Sequence, residues 1–335
     1  MNFIISSFPN DPDGASTPIK PMKKDFIDVP APIVLSGIRK SFYYAKGAFL
    51  SPVYWLLSHR FGMPGLSVHR QCAQLGFHLF LKHQAPIPKA FLYELLFKPM
   101  DSTRYFEFDF VWKSLRESPV RRYLDVASPR MIPLLLLQQR TEITAELINP
   151  DKKDMAITRS FVEALGMGSR CHLHNVLIDD VPFEKESFDT ITCISVLEHI
   201  PESDRAIRKI WDLLKRGGKL ILTLPCMTEE TEQFINDGGY GLLPPGPDGY
   251  TFWQLYYDHA LLEEKIYGVI GKPARMAVFG EKRPGSFRKN AHLKRVGNEY
   301  PFWLEPYIVG TEYTFFDSID DLPGEGVVAV EAIKN

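Results

Sequence analysis

The sequence predicts an α/β fold, a mostly parallel sheet flanked by helices, on three observations. Residues 188–225 read FDTITCISVLEHIPESDRAIRKIWDLLKRGGKLILTLP, a β-branched apolar run, an amphipathic segment and a second apolar run. Two further strand-then-helix units precede them, at 122–140 and 142–166. The chain of 335 residues, 45% apolar and 24% charged, is large enough to bury a full core. Repeated strand–helix–strand units make a parallel sheet, because parallel neighbours need a crossover long enough to hold a helix.

In chain order, residues 1–25 hold Pro9, Pro12, Pro18 and Pro21 among small polar residues and lysines. They are expected to be a mobile tail or an arm laid across the surface, without regular structure. Residues 26–100 are expected to form a basic, aromatic, helical cap. Gly47, Pro52, Gly62, Pro64, Gly65, Pro86 and Pro88 break its pattern into short pieces, and 90–100 reads as a short apolar helix. Residues 101–335 are assigned to one α/β domain. It opens with Asp101-Ser102-Thr103 as cap residues for a helix in which Phe106, Phe110, Val111 and Leu115 recur at helical spacing.

The first strand of that domain is 122–127 (RYLDVA). In the helix that follows, Pro133 lies in the first turn, where a missing N–H costs little. The second strand, 142–148, passes through Asn149-Pro150-Asp151 into another helix, and the third is 171–177. The run 190–196 reads as a strand buried on both faces. Pro201-Glu202-Ser203 starts the next helix and Gly217-Gly218 ends it; 219–224 is the strand after it. A Gly- and Pro-rich loop, 226–250, is long enough to be a lid or binding element. Residues 250–267 are predicted helical, and 274–280 and 326–332 are predicted strands.

A net charge of −2 excludes a globally basic nucleic-acid binder. The charge is uneven, however: 29–93 has no Asp or Glu but carries Arg39, Lys40, Lys46, Arg60, Arg70, Lys82 and Lys89. Such a segment suits a cap whose cations are solvated, or a surface for an anionic substrate or anionic lipid headgroups, so peripheral membrane contact is one expectation. Cys72, Cys171, Cys193 and Cys226 lack metal-ligand spacing and read as packed thiols, and no metal site is expected. Residues 2–8 are too short an apolar run for a secretory signal, so a cytoplasmic, at most membrane-peripheral, location is expected.

The pattern FDTITCISVLEHIP, an amphipathic helix and LKRGGKLILTLP resembles the middle of the class I S-adenosylmethionine-dependent methyltransferases. It is similar in particular to the type 11-like branch with a VLEH turn, which includes quinone and small-molecule O-methyltransferases. The resemblance is specific over 188–225, looser over 124–335, and does not reach the first hundred residues. It implies a Rossmann-like sheet of seven mostly parallel strands ending in an antiparallel hairpin, and S-adenosyl-L-methionine as cofactor. The family's first loop carries Asp/Glu and three glycines. This chain has Asp125-Val126-Ala127-Ser128-Pro129-Arg130, which keeps the acid and loses the glycines.

By resemblance, Asp125, Ala127, Ser128, Pro129 and Ser195 would border the cofactor, and Arg104, Tyr105 and Glu107 would reach its methionine end. Glu146 is the candidate for the ribose hydroxyls, although Leu147 aligns with the family's carboxylate, and Asp179 or Asp180 is the candidate for the adenine amine. His199 in the turn after the central strand is the candidate base for a hydroxyl or amine acceptor, with Glu198 orienting it or binding a divalent cation that acidifies the acceptor hydroxyl. The VLEH turn would serve equally to tie strand to helix by hydrogen bonds. The acceptor class is a small molecule, glycan or lipid-linked intermediate. The altered loop leaves one alternative, an inactive methyltransferase-like binding or scaffolding protein that has lost its cofactor.

Overall fold

The computed structural model describes residues 22–31, 35–82, 87–116, 119–239, 241–296 and 301–335; most of the predicted N-terminal tail lies outside them. The chain begins with β1 (Lys23–Ile27), α1 (Gly37–Ser58), α2 (Leu66–Lys82), α3 (Lys89–Phe97) and α4 (Arg104–Arg116). Next come β2 (Arg122–Val126), α5 (Met131–Gln139), β3 (Thr144–Ile148), α6 (Lys152–Ala164), β4 (Cys171–His174), β5 (Phe188–Ile194), α7 (Ser203–Leu213) and β6 (Leu214–Cys226). After β7 (Thr231–Ile235) and β8 (Thr251–Tyr256), short helices α8 (His259–Leu261) and α9 (Gly268–Ile270) flank a π-helical Leu262–Tyr267. The chain closes with β9 (Arg275–Glu281), α10 (Ser286–Val296), α11 (Glu305–Glu312), β10 (Tyr313–Phe316) and β11 (Gly326–Ile333).

Eight strands form the main sheet in the order β10-β9-β11-β6-β5-β2-β3-β4. From β4 to β6 all neighbours are parallel, whereas β11 runs antiparallel to both β6 and β9. The expected seven strands and antiparallel close are therefore present, with β10 added at the edge of β9. Chain order reverses between β2 and β5, so their carboxyl ends diverge and leave a crevice, the usual ligand position in open α/β sheets.

Strand residues alternate between two cores. Tyr123, Leu147, Ile194 and Ile221 pack with α4, α5 and the cap residues Cys72, Leu75 and Leu95. On the opposite face Leu124, Ile148, Ile191, Cys193 and Leu222 pack with α7 and the 261–270 segment. The cap thus shares a core with the sheet. Asp189, at the start of β5, accepts hydrogen bonds from the Arg121 and Arg122 amides and from Lys215 Nζ, fixing the relative heights of β2, β5 and β6.

Several sequence expectations are corrected. Residues 250–267, predicted helical, begin as β8, which pairs antiparallel with β7; helix starts only at His259, where Asp258 accepts from the Leu261 amide. Trp253, Tyr256 and Tyr257 fall at the helical i, i+3, i+4 spacing, but aromatic residues also favour a half-buried strand, and pairing with β7 decides it. Within the predicted lid loop lies β7, and β1 adds to it in parallel, so the arm at 23–27 is a strand. Helix α7 ends at Leu213, while Gly217, with φ 73°, forms a left-handed bulge inside β6. Helix α1 runs unbroken for 22 residues through Pro52, held by packing on α11 and Phe302–Leu304.

Candidate active site

The crevice is bounded by the turn after β2. Asp125 is buried, and its Oδ2 accepts from Thr192 Oγ1 at 2.6 Å and Tyr123 OH at 3.2 Å, while Oδ1 accepts from the Ser128 amide at 3.1 Å. Burial pushes its pKa up to about 6, with the hydrogen bonds from Thr192, Ser128 and Tyr123 opposing the shift. Asp125 therefore clamps the turn onto β5 from within. Ala127, the residue after β2, has φ 50°, so the left-handed bend that glycine makes cheaply survives here on an L side chain. Ser195, just beyond β5, is bent the same way at φ 50°. Ser128 Oγ accepts from the Ile194 amide at 3.0 Å and joins the two turns.

A second cluster sits at the tips of β5 and β6. Glu107 on α4 is 1% exposed and accepts from the hydroxyls of Ser195 and Thr223. Arg104 Nη1 lies 3.0 Å from Glu107 Oε2 as an ion pair, yet that buried nitrogen makes no hydrogen bond among the described residues. Glu198 is buried as well, and its Oε2 also has no hydrogen-bond partner among the described residues. Burial pushes its pKa up to about 8, aided by the Glu107 charge and opposed by Arg104. At neutral pH its carboxyl is mostly protonated.

His199 Nδ1 is hydrogen-bonded to the Trp253 carbonyl, which selects the tautomer protonated at Nδ1. Burial lowers its pKa below the ordinary 6.5, so at neutral pH the ring is uncharged and Nε2 carries the lone pair. Glu198 Oε1 is 3.9 Å from Nε2. Trp253 belongs to β8 and its ring lies 4.7 Å from the imidazole, so the small β1-β7-β8 sheet braces the turn.

The remaining candidates are dispersed. Tyr105 is 1% exposed and its hydroxyl meets His69 Nδ1 at 2.9 Å, within the cap interface. Glu146 is paired with His174 Nε2 at 2.7 Å, and Leu147, in register with Asp125, is buried in the core. Asp179 and Asp180 are exposed on one 3-10 turn, with Asp179 3.4 Å from Arg205 Nε. Pro129 leads into Arg130, whose guanidinium pairs with Asp154 and covers the Phe91 ring. The structure thus joins Asp125, Ser128 and the end of β5, and separately Ser195, Glu107, Glu198 and His199. Thr192, Thr223, Tyr123 and Trp253 were not singled out from sequence; a threonine amid a buried apolar strand was the signal for the first two.

Beside this cluster a cavity of about 600 Å³ is lined by Asp101, Arg104, Asn290, Lys294, Glu305 and Tyr313, among others. Lys294 Nζ donates to Glu305 at 2.9 Å, and Glu305 also accepts from the Ser102 amide. Arg104 is common to the cavity wall and the Glu107 ion pair, so a mixed-charge chamber adjoins the crevice.

A family model described as a methyltransferase domain matches residues 124–222. A ubiquinone biosynthesis O-methyltransferase from Alkalilimnicola ehrlichii is 26% identical over 160 residues, 48% of this chain and 64% of the relative. Methyltransferase GfsG from Streptomyces halstedii is 25% identical over 112 residues, 33% of this chain and 40% of the relative. The chain thus spans less than two thirds of the length of either. Among solved structures, a geranyl diphosphate methyltransferase in complex with SAM aligns with 70% of this chain and 88% of its own, at 10% identity and a TM-score of 0.44.

Proposed function

We propose, for a chain whose residues 124–222 match a family model described as a methyltransferase domain, that it transfers a methyl group from S-adenosylmethionine to oxygen or nitrogen of a small-molecule, glycan or lipid-linked acceptor. The observation that carries the proposal is the buried Glu198 Oε2, without a hydrogen-bond partner among the described residues, within electrostatic reach of Arg104, whose buried Nη1 is held by the Glu107 ion pair alone. Buried polar atoms whose hydrogen-bonding capacity is unused are costly, and a donor and an acceptor with capacity to spare are complementary to a zwitterion. The amino-acid end of S-adenosylmethionine is such a group, and the residues fit it there. Arg104 would take its carboxylate and Glu198, ionising as it does so, its ammonium.

When bound, the cofactor supplies an electrophilic methyl group. This chain's residues orient the partners and manage one proton. Glu107 holds Arg104 by charge and the Ser195 turn by hydrogen bond, so one buried carboxylate sets the height of both sides of the crevice. His199, neutral and protonated at Nδ1, offers Nε2 to take the acceptor's proton. The adjoining cavity, with Lys294, Asn290 and Glu305 in its wall, is suited to a polar acceptor. Thermal melting with and without S-adenosylhomocysteine tests the proposal: the ligand should raise Tm in the wild type and much less in Arg104→Met.

One rival has its own support. Leu147 is buried where the family's ribose carboxylate would stand, and Ser128 Oγ is spent on the Ile194 amide. Both suit a methyltransferase-like module that binds a partner without cofactor, and a Tm indifferent to millimolar ligand would select it.

A further inference from the structure

In most surface helices the large apolar side chains face the core, but α1 reverses this. Ile38, Phe42, Phe49, Val53 and Leu56 fall within an arc of about 60° at about 100° per residue, and they are 88%, 70%, 77%, 43% and 62% exposed. The fully buried line of the inward side is small residues, Gly47, Ser51 and Ser58, with Tyr43, Tyr54 and Trp55 half-buried beside it against the body of the protein. A Cβ at Gly47 would lie 2.0 Å from Phe302 Cζ, so close approach to the body of the protein dictates the small face, and the bulky one is left in water. The length is about 33 Å at about 1.5 Å per residue, and among the described residues no helix is long and apolar enough to cross a membrane.

We propose that α1 lies in the plane of a bilayer rich in anionic lipid, its stripe inserted among the acyl chains and its cations on the headgroups. Charge decides the occupant. Arg39 and Lys46 on the flank of the stripe and Arg60 just after the helix are exposed, and 29–93 contains no carboxylate side chain. A second copy docked stripe to stripe would bring only cations together, and like charges across an interface are costly. Anionic headgroups supply the missing counter-charge at the depth where aromatic side chains favour the interface. The inference does not depend on cofactor binding.

Flotation with vesicles tests it, using phosphatidylcholine alone and phosphatidylcholine with phosphatidylserine. The wild type should float with the anionic vesicles at low salt and be released at about 1 M salt, where the Debye length is about 3 Å. The triple variant Phe42→Gln/Phe49→Gln/Leu56→Gln should float at least about tenfold less, while melting at the wild-type Tm and binding S-adenosylhomocysteine as the wild type does. Arg39→Gln/Arg60→Gln should reduce the preference for anionic vesicles. No flotation of the wild type, or flotation indifferent to lipid charge and salt, overturns the inference. Concentration-dependent dimerisation that the triple variant abolishes, without flotation, also overturns it and assigns the stripe to a second copy.

Discussion

Ser128 Oγ accepts the Ile194 amide hydrogen at 3.0 Å, and through this bond the turn after β2 is fastened to the end of β5 where the sheet reverses direction. The same serine's amide donates to Asp125, which in turn accepts from Thr192 on β5. Backbone and side chain thus close one ring around the bend at Ala127. Ser128→Ala should cost about 1–3 kcal/mol, because it leaves the buried Ile194 amide without an acceptor. Urea denaturation measures it, and an unchanged midpoint would show the fastening to be unimportant.

Ala127 holds a left-handed conformation at φ 50° without a glycine. Relief of about 1–2 kcal/mol of strain outweighs the entropy that glycine adds to the unfolded chain, about 0.5–1 kcal/mol. Ala127→Gly should therefore stabilise the protein by up to about 1.5 kcal/mol in the same denaturation experiment, and a loss of stability would contradict the strain assigned to this turn.

Glu198 gives the site a pH signature. Its pKa is about 8 in the folded protein against 4.5 in the unfolded chain. Between those values the folded state keeps a proton that the unfolded state has lost. The stabilisation is complete below pH 4.5 and disappears as pH rises through about 8. Asp125 behaves alike between 3.8 and about 6, and that contribution is common to both proteins compared. Glu198→Gln should match the wild-type Tm near about pH 5 and exceed it near about pH 9; parallel Tm curves across this range would mean that Glu198 is ionised throughout.

His199 should remain a neutral, Nδ1-protonated imidazole through neutral pH, because burial lowers its pKa and Trp253 accepts from Nδ1. Nitrogen chemical shifts report the tautomer directly. With any acceptor that the wild type methylates, His199→Gln should lower kcat by about 10²–10⁴ and leave S-adenosylhomocysteine affinity nearly unchanged. Equal losses in both would make His199 a positioning residue for the turn.

Much of this architecture was legible because buried parallel strands leave continuous β-branched runs, as at 190–196, and because Asp125, Ser195 and Glu198 follow directly from strand ends. Less legible were features set by distant partners. Strand β1 reads as a polar arm because only β7 defines it, and Trp253 reads as helical until β7 is beside it. The resemblance puts Glu107 near the cofactor, but its grip on Ser195 and Thr223 joins positions 88 and 116 residues apart. The outward stripe on α1 was equally hidden, since its orientation is decided by Phe302, far along the chain.

Isothermal titration with S-adenosylhomocysteine at pH near about 7, in two buffers of different ionisation enthalpy, tests the central claim most directly. Saturable one-to-one heat with Kd below about 1 mM is expected, weakened about tenfold or more in Arg104→Met, with proton release as Glu198 ionises against the ligand's ammonium. Absence of heat from a cooperatively melting wild-type protein at about millimolar ligand would contradict it.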